Sequence, residues 1–242
     1  MIELLQARLR QRTQPAVMPV DAASLPERFR GRPVVARAEG RSLPVIDLGD
    51  VLFAPDDPMI ARVPDMEFTR DYRMAVRERS ALVTDGELEL ATALDERMRK
   101  LLGRSLRLRS VAAGSCGGCE AELNALGNVV FDMGRFGVQF VASPRHADGI
   151  VITGAVSTNM REALEKTYEA VPDPRIVIAV GACAISGGVF RESEEVNGGV
   201  PSSIPVDLWI PGCPPHPLTV LDGLLRLLGK LGGEATSPSA LP

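Results

Sequence analysis

The apolar positions change rhythm near residue 104. Before it, prolines at 15, 19, 26, 33, 44, 55, 58 and 64 interrupt the chain, and no hydrophobic period is sustained. After it, short apolar runs alternate with stretches of helical spacing. Leu106–Val111, Gly137–Ala142, Gly149–Thr153, Arg175–Val180 and Val206–Ile210 read as strands. Arg175–Val180 is almost continuously apolar, the pattern of a strand buried on both faces of a parallel sheet. Asn159–Ala170 reads as a helix, with Asn159 and Glu162 spaced like a capping box. Leu218–Leu228 reads as an amphipathic helix.

Strands alternating with helices predict an α/β domain built on a parallel sheet with right-handed crossovers. The chain then divides into a smaller irregular module at residues 1–104, an α/β domain at 105–232 and a tail at 233–242. The tail composition, GEATSPSALP, predicts flexibility. Glycine pairs in GGVF at 187–190 and GGVP at 198–201 mark Ala184–Pro205 as a long irregular loop. Such a loop is either an interface element or disordered.

Composition narrows the classes. Of the 242 residues, 45% are hydrophobic and 24% charged, which suits a globular protein with a packed core. The net charge of −4, with no block of one sign, gives no reason to expect a nucleic-acid partner. The opening MIELLQARLRQR has charges threaded through it and no apolar run behind it, unlike a secretory signal. The longest uncharged stretch, Ile176–Phe190, carries three glycines and is too short for a membrane span. The expected location is therefore the cytoplasm, with any membrane link made through partners.

In a reducing compartment, cysteines read as metal ligands before disulfides. All four cysteines, Cys116, Cys119, Cys183 and Cys213, lie in the second part. Each follows a predicted strand, and ligands of parallel sheets collect at the carboxyl ends of the strands. Four thiolates from three loops can therefore converge. Structural zinc sites usually pair two short C-x-x-C knuckles, and only one is present here. An iron–sulfur cluster also takes four thiolates, and its cysteines are often followed by proline, as in Cys213-Pro214. Cluster, zinc and unrelated buried thiols all remain open on spacing alone. No G-x-G-x-x-G follows a strand and no G-x-x-x-x-G-K-[ST] occurs, so no nucleotide is predicted. Flavin is not predicted either, because cysteines take the ligand end of the sheet.

The segments GSCGGCEAE, SPRHADGIVITGAVSTNM, VPDPRIVIAVGACAISGG and IPVDLWIPGCPP carry a family resemblance. From about Ser105 to Leu228 the chain resembles the small iron–sulfur subunit shared by respiratory complex I and the related membrane-bound nickel–iron hydrogenases. That resemblance implies a flavodoxin-like domain in which Cys116, Cys119, Cys183 and Cys213 ligate one 4Fe–4S cluster. It also implies a large catalytic partner subunit, further peripheral and membrane subunits, and a place on the inner face of the cell membrane. Complex I members carry two adjacent cysteines in the first motif, whereas hydrogenase members carry C-x-x-C, the form at Cys116-Gly117-Gly118-Cys119. The resemblance therefore points to an electron-relay subunit next to a nickel–iron centre. A quinone-feeding NADH oxidoreductase subunit and a structural subunit holding zinc or no metal are the alternatives.

A second resemblance covers the first part. SLPERFRGRPVV, VIDLGDVLFAPDDPMI and EFTRDYRMAVRERSALV, with an N-terminal helix over MIELLQARLRQR, resemble the two-cluster ferredoxin-like subunit of the same complexes. Val51, Ala54 and Asp57 stand where that family places ligands, and the segment contains no cysteine. A ferredoxin-derived module without clusters, kept as a docking surface, is the implied reading.

Other candidates carry weaker signals. Glu120 and Glu122 follow the second cysteine and are either acids near the cluster or acids favoured at a helix start. His216, three residues after Cys213, is a candidate hydrogen-bonding group near the cluster. His146 reads as a loop residue, Trp209 as core, and Arg135 and Arg145 as surface or partner-facing cations.

Overall fold

The computed structural model describes residues 16–35, 45–54, 57, 66–84, 88–103 and 105–231. The N-terminal helix expected over MIELLQARLRQR and the tail at 233–242 lie outside the described residues.

The described residues of the first part hold short elements only. Strand β1 (Pro33–Val35) pairs antiparallel with β3 (Met66–Phe68), and β2 (Ile46–Asp47) pairs antiparallel with β4 (Val83–Thr84). Helix α1 (Glu96–Leu102) starts at Asp95, whose carboxylate accepts the Met98 N–H at 2.9 Å.

The second part is a five-stranded, fully parallel sheet formed by β5 (Leu106–Ala112), β6 (Val138–Phe140), β7 (Gly149–Thr153), β8 (Ile176–Val180) and β9 (Leu208–Ile210). Its spatial order is β6-β5-β7-β8-β9. Counted from β5 this is the 2-1-3-4-5 order of the flavodoxin-like fold, and the order reverses beside β5. Four helices serve the sheet: α2 (Gly118–Ala125), α3 (Thr158–Glu169), α4 (Ala182–Ser186) and α5 (Pro217–Leu227).

Period-two alternation sends the strand residues to two cores. Val151, Ile176, Ile178 and Val180 meet Leu123 of α2 and Leu221 and Leu224 of α5 on one face. Ile150, Ile152 and Val177 meet Leu164 of α3 and Ile204 on the other. The central strands β7 and β8 are buried at every position, which is why their sequences read as continuous apolar runs.

Two local expectations are corrected. The capping box at Asn159 and Glu162 does not form: the helix begins one residue earlier, and Ser157 is its N-cap with no side-chain cap bond. Backbone bonds from the long loop take over there, since the Thr158 N–H donates to Glu195 C=O at 2.8 Å. Helix α5 is also not amphipathic in its setting, because every residue from Pro217 to Leu227 is buried. Its outer face is covered by the first part of the chain. Ala75, Ala91 and Leu94 share its core, and the Leu94 N–H donates to Leu227 C=O at 2.9 Å. Its two charged residues, Asp222 and Arg226, pair with each other at 2.8 Å.

The first part closes on the second at two further places. Val76 and Trp209 exchange both backbone hydrogen bonds, at 3.0 and 2.9 Å, so an antiparallel residue pair extends the sheet beyond β9. Ser186 Oγ donates to Gly49 C=O at 2.9 Å, and Arg191 pairs with Asp50 at 2.9 Å. Those contacts hold the long loop over the carboxyl edge. The Val200 N–H donates to Ala184 C=O at 2.8 Å, and Asn197 and Gly199 bond back to Val156 and Ala155. The loop is thus an ordered cover.

Candidate metal centre

Parallel strands place all their carboxyl ends on one edge, and the cysteine loops leave from that edge. Cys116 and Cys119 follow β5, Cys183 follows β8 and Cys213 follows β9. Cys119 lies in the first turn of α2 and Cys183 in α4, and both are buried. Cys213 is half-buried and Cys116 is exposed. All four are free thiols.

The loops bring the thiols within electrostatic reach of one another. Burial pushes the Cys119 thiol far up, reinforced by Glu120, Cys183, Cys213 and Cys116. Burial also raises Cys183 to about 11, with Cys213 and Cys116 adding to the effect. Cys213 is raised by burial, by Cys116 and by Asp57. Negative charges so close together resist ionisation, and a bound cationic centre relieves that resistance.

Local backbone leaves room for the sulfurs. Gly181 has φ +89, and a Cβ there would stand 2.5 Å from Cys119 Sγ. Gly188, at φ +53, would bring a Cβ within 2.8 Å of Cys183 Sγ. A backbone hydrogen bond from Val189 also reaches the Cys183 thiol. Among the described residues, no three His, Cys, Asp or Glu side chains are set to hold one metal ion. The four thiols therefore share a space without meeting at a point. That donor set, all sulfur and drawn from three loops, has the chemistry of an iron–sulfur ligand set.

The acids divide. Glu120 is clasped: its Oε1 accepts hydroxyl bonds from Ser115 Oγ and Thr153 Oγ1, both at 2.5 Å. Burial works against its ionisation, but these two bonds and a backbone bond carry its pKa below the usual value. Glu122 is half-buried, and burial alone raises it. His216 is the N-cap of α5, its Nδ1 accepting the Leu218 N–H at 3.1 Å, which leaves the ring proton on Nε2. Phe29 and Phe131 stand edge-on to the ring at 5.1 and 5.8 Å, and burial lowers its pKa.

The remaining candidates sit elsewhere. His146 and Arg145 are exposed on the short turn Pro144–His146. Arg135 bonds Ala16 C=O and lies over the Phe136 ring at 4.5 Å, so its partner is its own chain. Trp209 is partly buried against the core formed by Ile46, Leu48 and Val51. Val51, at a position expected for a lost ligand, is wholly buried there, and Asp57 is 1% exposed and accepts the Leu52 N–H at 2.5 Å. Sequence reasoning missed Ser115 and Thr153. Their signal was faint: a hydroxyl beside a cysteine, and another at the carboxyl end of a strand.

The fold is thus a flavodoxin-like α/β domain whose ligand edge bears four free thiols in place of a nucleotide loop. The matching family model is NADH ubiquinone oxidoreductase, 20 kDa subunit, over residues 116–227, and the chain belongs to that family. It is 46% identical over 132 residues to the probable membrane-bound hydrogenase subunit mbhJ of Pyrococcus furiosus, covering 54% of this chain and 79% of the relative. It is 42% identical over 143 residues to formate hydrogenlyase subunit 7 of Escherichia coli, covering 59% of this chain and 56% of that protein. It is 47% identical over 119 residues to a subunit of the NADH-quinone oxidoreductase of Geotalea uraniireducens, covering 49% of this chain and 69% of that protein. These relatives are subunits of oxidoreductases. No helix among the described residues is long and apolar enough to cross a membrane.

Proposed function

We propose that the chain is an electron-relay subunit of a membrane-associated, complex I-like hydrogenase. The carrying observation is the gathering of Cys116, Cys119, Cys183 and Cys213 at one sheet edge, in mutual electrostatic reach. These four would hold a 4Fe–4S cluster, which supplies one-electron transfer without chemistry of its own on substrate. The chain's part is to fix the ligands. Strands β5, β8 and β9 aim the loops, Gly181 and Gly188 leave space beside two sulfurs, and Val189 donates to one of them. Hydrogen activation would occur in a separate nickel–iron subunit, placing this chain peripherally on the membrane through partners.

The C-x-x-C form of the first motif favours the hydrogenase branch, as does the likeness to mbhJ. The equal likeness to an NADH-quinone oxidoreductase subunit sustains the second reading, a relay feeding quinone without nickel. Residues 1–104 act in either case as a cluster-free docking module. Buried Val51 and Asp57 at expected ligand positions support that reading.

Anaerobic purification with iron, sulfide, zinc and nickel analysis tests the proposal, together with low-temperature EPR after reduction. About four irons and four sulfides per chain, and a signal lost in Cys213→Ala, are expected. Nickel in a co-purifying subunit identifies the hydrogenase branch. Stoichiometric zinc, or no metal in anaerobic protein, refutes the relay.

A further inference from the structure

Glu120 is built into the site more firmly than a helix-starting acid requires. Its Oε1 takes two hydroxyl bonds at 2.5 Å, from Ser115 on the first cysteine loop and from Thr153 at the end of β7. Thr153 is wholly buried, and its hydroxyl also faces Val111 C=O at 3.3 Å, so the clasp is anchored in the sheet. Two separate stretches of chain, the first cysteine loop and the end of β7, therefore meet at one carboxylate oxygen. The other oxygen, Oε2, is shut off from solvent and has no hydrogen-bond partner among the described residues.

That asymmetry has an electrostatic meaning. A carboxylate with both oxygens bonded spreads its charge into its donors. Here one oxygen is fixed and the other is shut off from water within a half-buried side chain, where a charge is screened less than at the open surface. Glu120 directly follows Cys119, and its charge reaches the thiols of both Cys119 and Cys183, which sit on different loops. A helix-dipole role would need only its place in the first turn of α2. It would not need the clasp to Thr153, which binds the acid to the sheet.

We propose that Glu120 is a positioning residue that holds the Cys116–Cys119 loop on the end of β7 and, as a fixed, half-buried anion, lowers the reduction potential of the centre. The inference rests on the relay reading and deepens it. Electrons added to a centre beside a fixed negative charge are repelled, so the reduced state is disfavoured relative to a neutral surrounding. Ser115 and Thr153 hold the charge at a constant place, and the potential is set by residues of this chain before any partner docks.

The test is redox titration of the anaerobically prepared full chain, monitored by EPR, with iron and sulfide counted in every sample. Glu120→Gln keeps the shape and the acceptor oxygen but removes the charge. Its centre is expected to load normally and to reduce more easily, by about tenfold at a fixed ambient potential, or 59 mV for one electron. Ser115→Ala keeps the charge and loses one clasp bond, so its potential should remain much nearer that of the unaltered chain. A Glu120→Gln centre with full iron and an unchanged potential overturns the inference. Should Glu120→Gln lose its iron, Glu120→Asp decides. The retained charge must then give an unchanged potential, and a positive shift overturns the inference. An unaltered chain that binds no iron instead takes down the relay reading beneath it.

Discussion

Gly181 offers the sharpest test of how the backbone makes room for the thiols. Its φ of +89 and ψ of 155 lie in a region open almost only to glycine. Alanine there costs on the order of 1–3 kcal/mol in backbone strain. At roughly 2–4 °C per kcal/mol for a chain of this size, the melting temperature falls by about 2–12 °C. A second effect follows from contact: the new Cβ would stand 2.5 Å from Cys119 Sγ. No atom pair of that kind persists at such a distance, so the thiol turns away and the proposed ligand set loses a member. Gly117→Ala separates the two effects. Its φ is +87, yet nothing lies within 4 Å of its Cβ position, so it carries backbone strain alone. Iron and sulfide per chain after anaerobic reconstitution, with thermal melts of the same samples, provide the assay. Gly181→Ala should lose most of its iron while Gly117→Ala keeps it. Equal iron content in the two variants would refute the steric reasoning.

Two further predictions concern stability. Asp222 and Arg226 form a buried pair at 2.8 Å, 0% and 5% exposed, and Asp222→Ala should cost about 3–5 kcal/mol in urea unfolding; a loss below about 1 kcal/mol would show that the pair is solvated. Burial raises the pKa of Asp207, although its Oδ2 accepts the Val177 N–H at 2.9 Å. A raised folded-state value means that its contribution is fully present below the ordinary carboxylate range and is lost as pH rises through the folded value. Asp207→Asn should flatten that limb of the stability–pH curve, and an unchanged curve would contradict the assignment.

The sheet was legible because β7 and β8 are buried on both faces, and continuous apolar runs such as GIVIT and IVIAV have few other readings. The placement of the cysteine loops at one end of the sheet was legible for a related reason: each follows a strand, and parallel strands end on one edge. Helix α5 was misjudged in its setting. Periodicity describes a helix against one neighbour, and nothing local announces that Ala75, Ala91 and Leu94 cover its second face. Helix α4 escaped notice because five residues carry no period. The clasp on Glu120 was hidden by distance, since Thr153 lies 33 residues away and a hydroxyl's partner is set by topology rather than by neighbours.

The bridge between Val76 and Trp209 bears on how the molecule behaves in a crowd. Leu208, Trp209 and Ile210 form the last strand of the sheet, and an open apolar edge of that kind invites pairing with any other chain. Because the guarding residue belongs to the same polypeptide, its local concentration is fixed by the intervening chain and not by expression level. The edge stays closed at dilution and at high concentration alike. Among the described residues, the opposite margin of this sheet is β6, which offers a template of three residues.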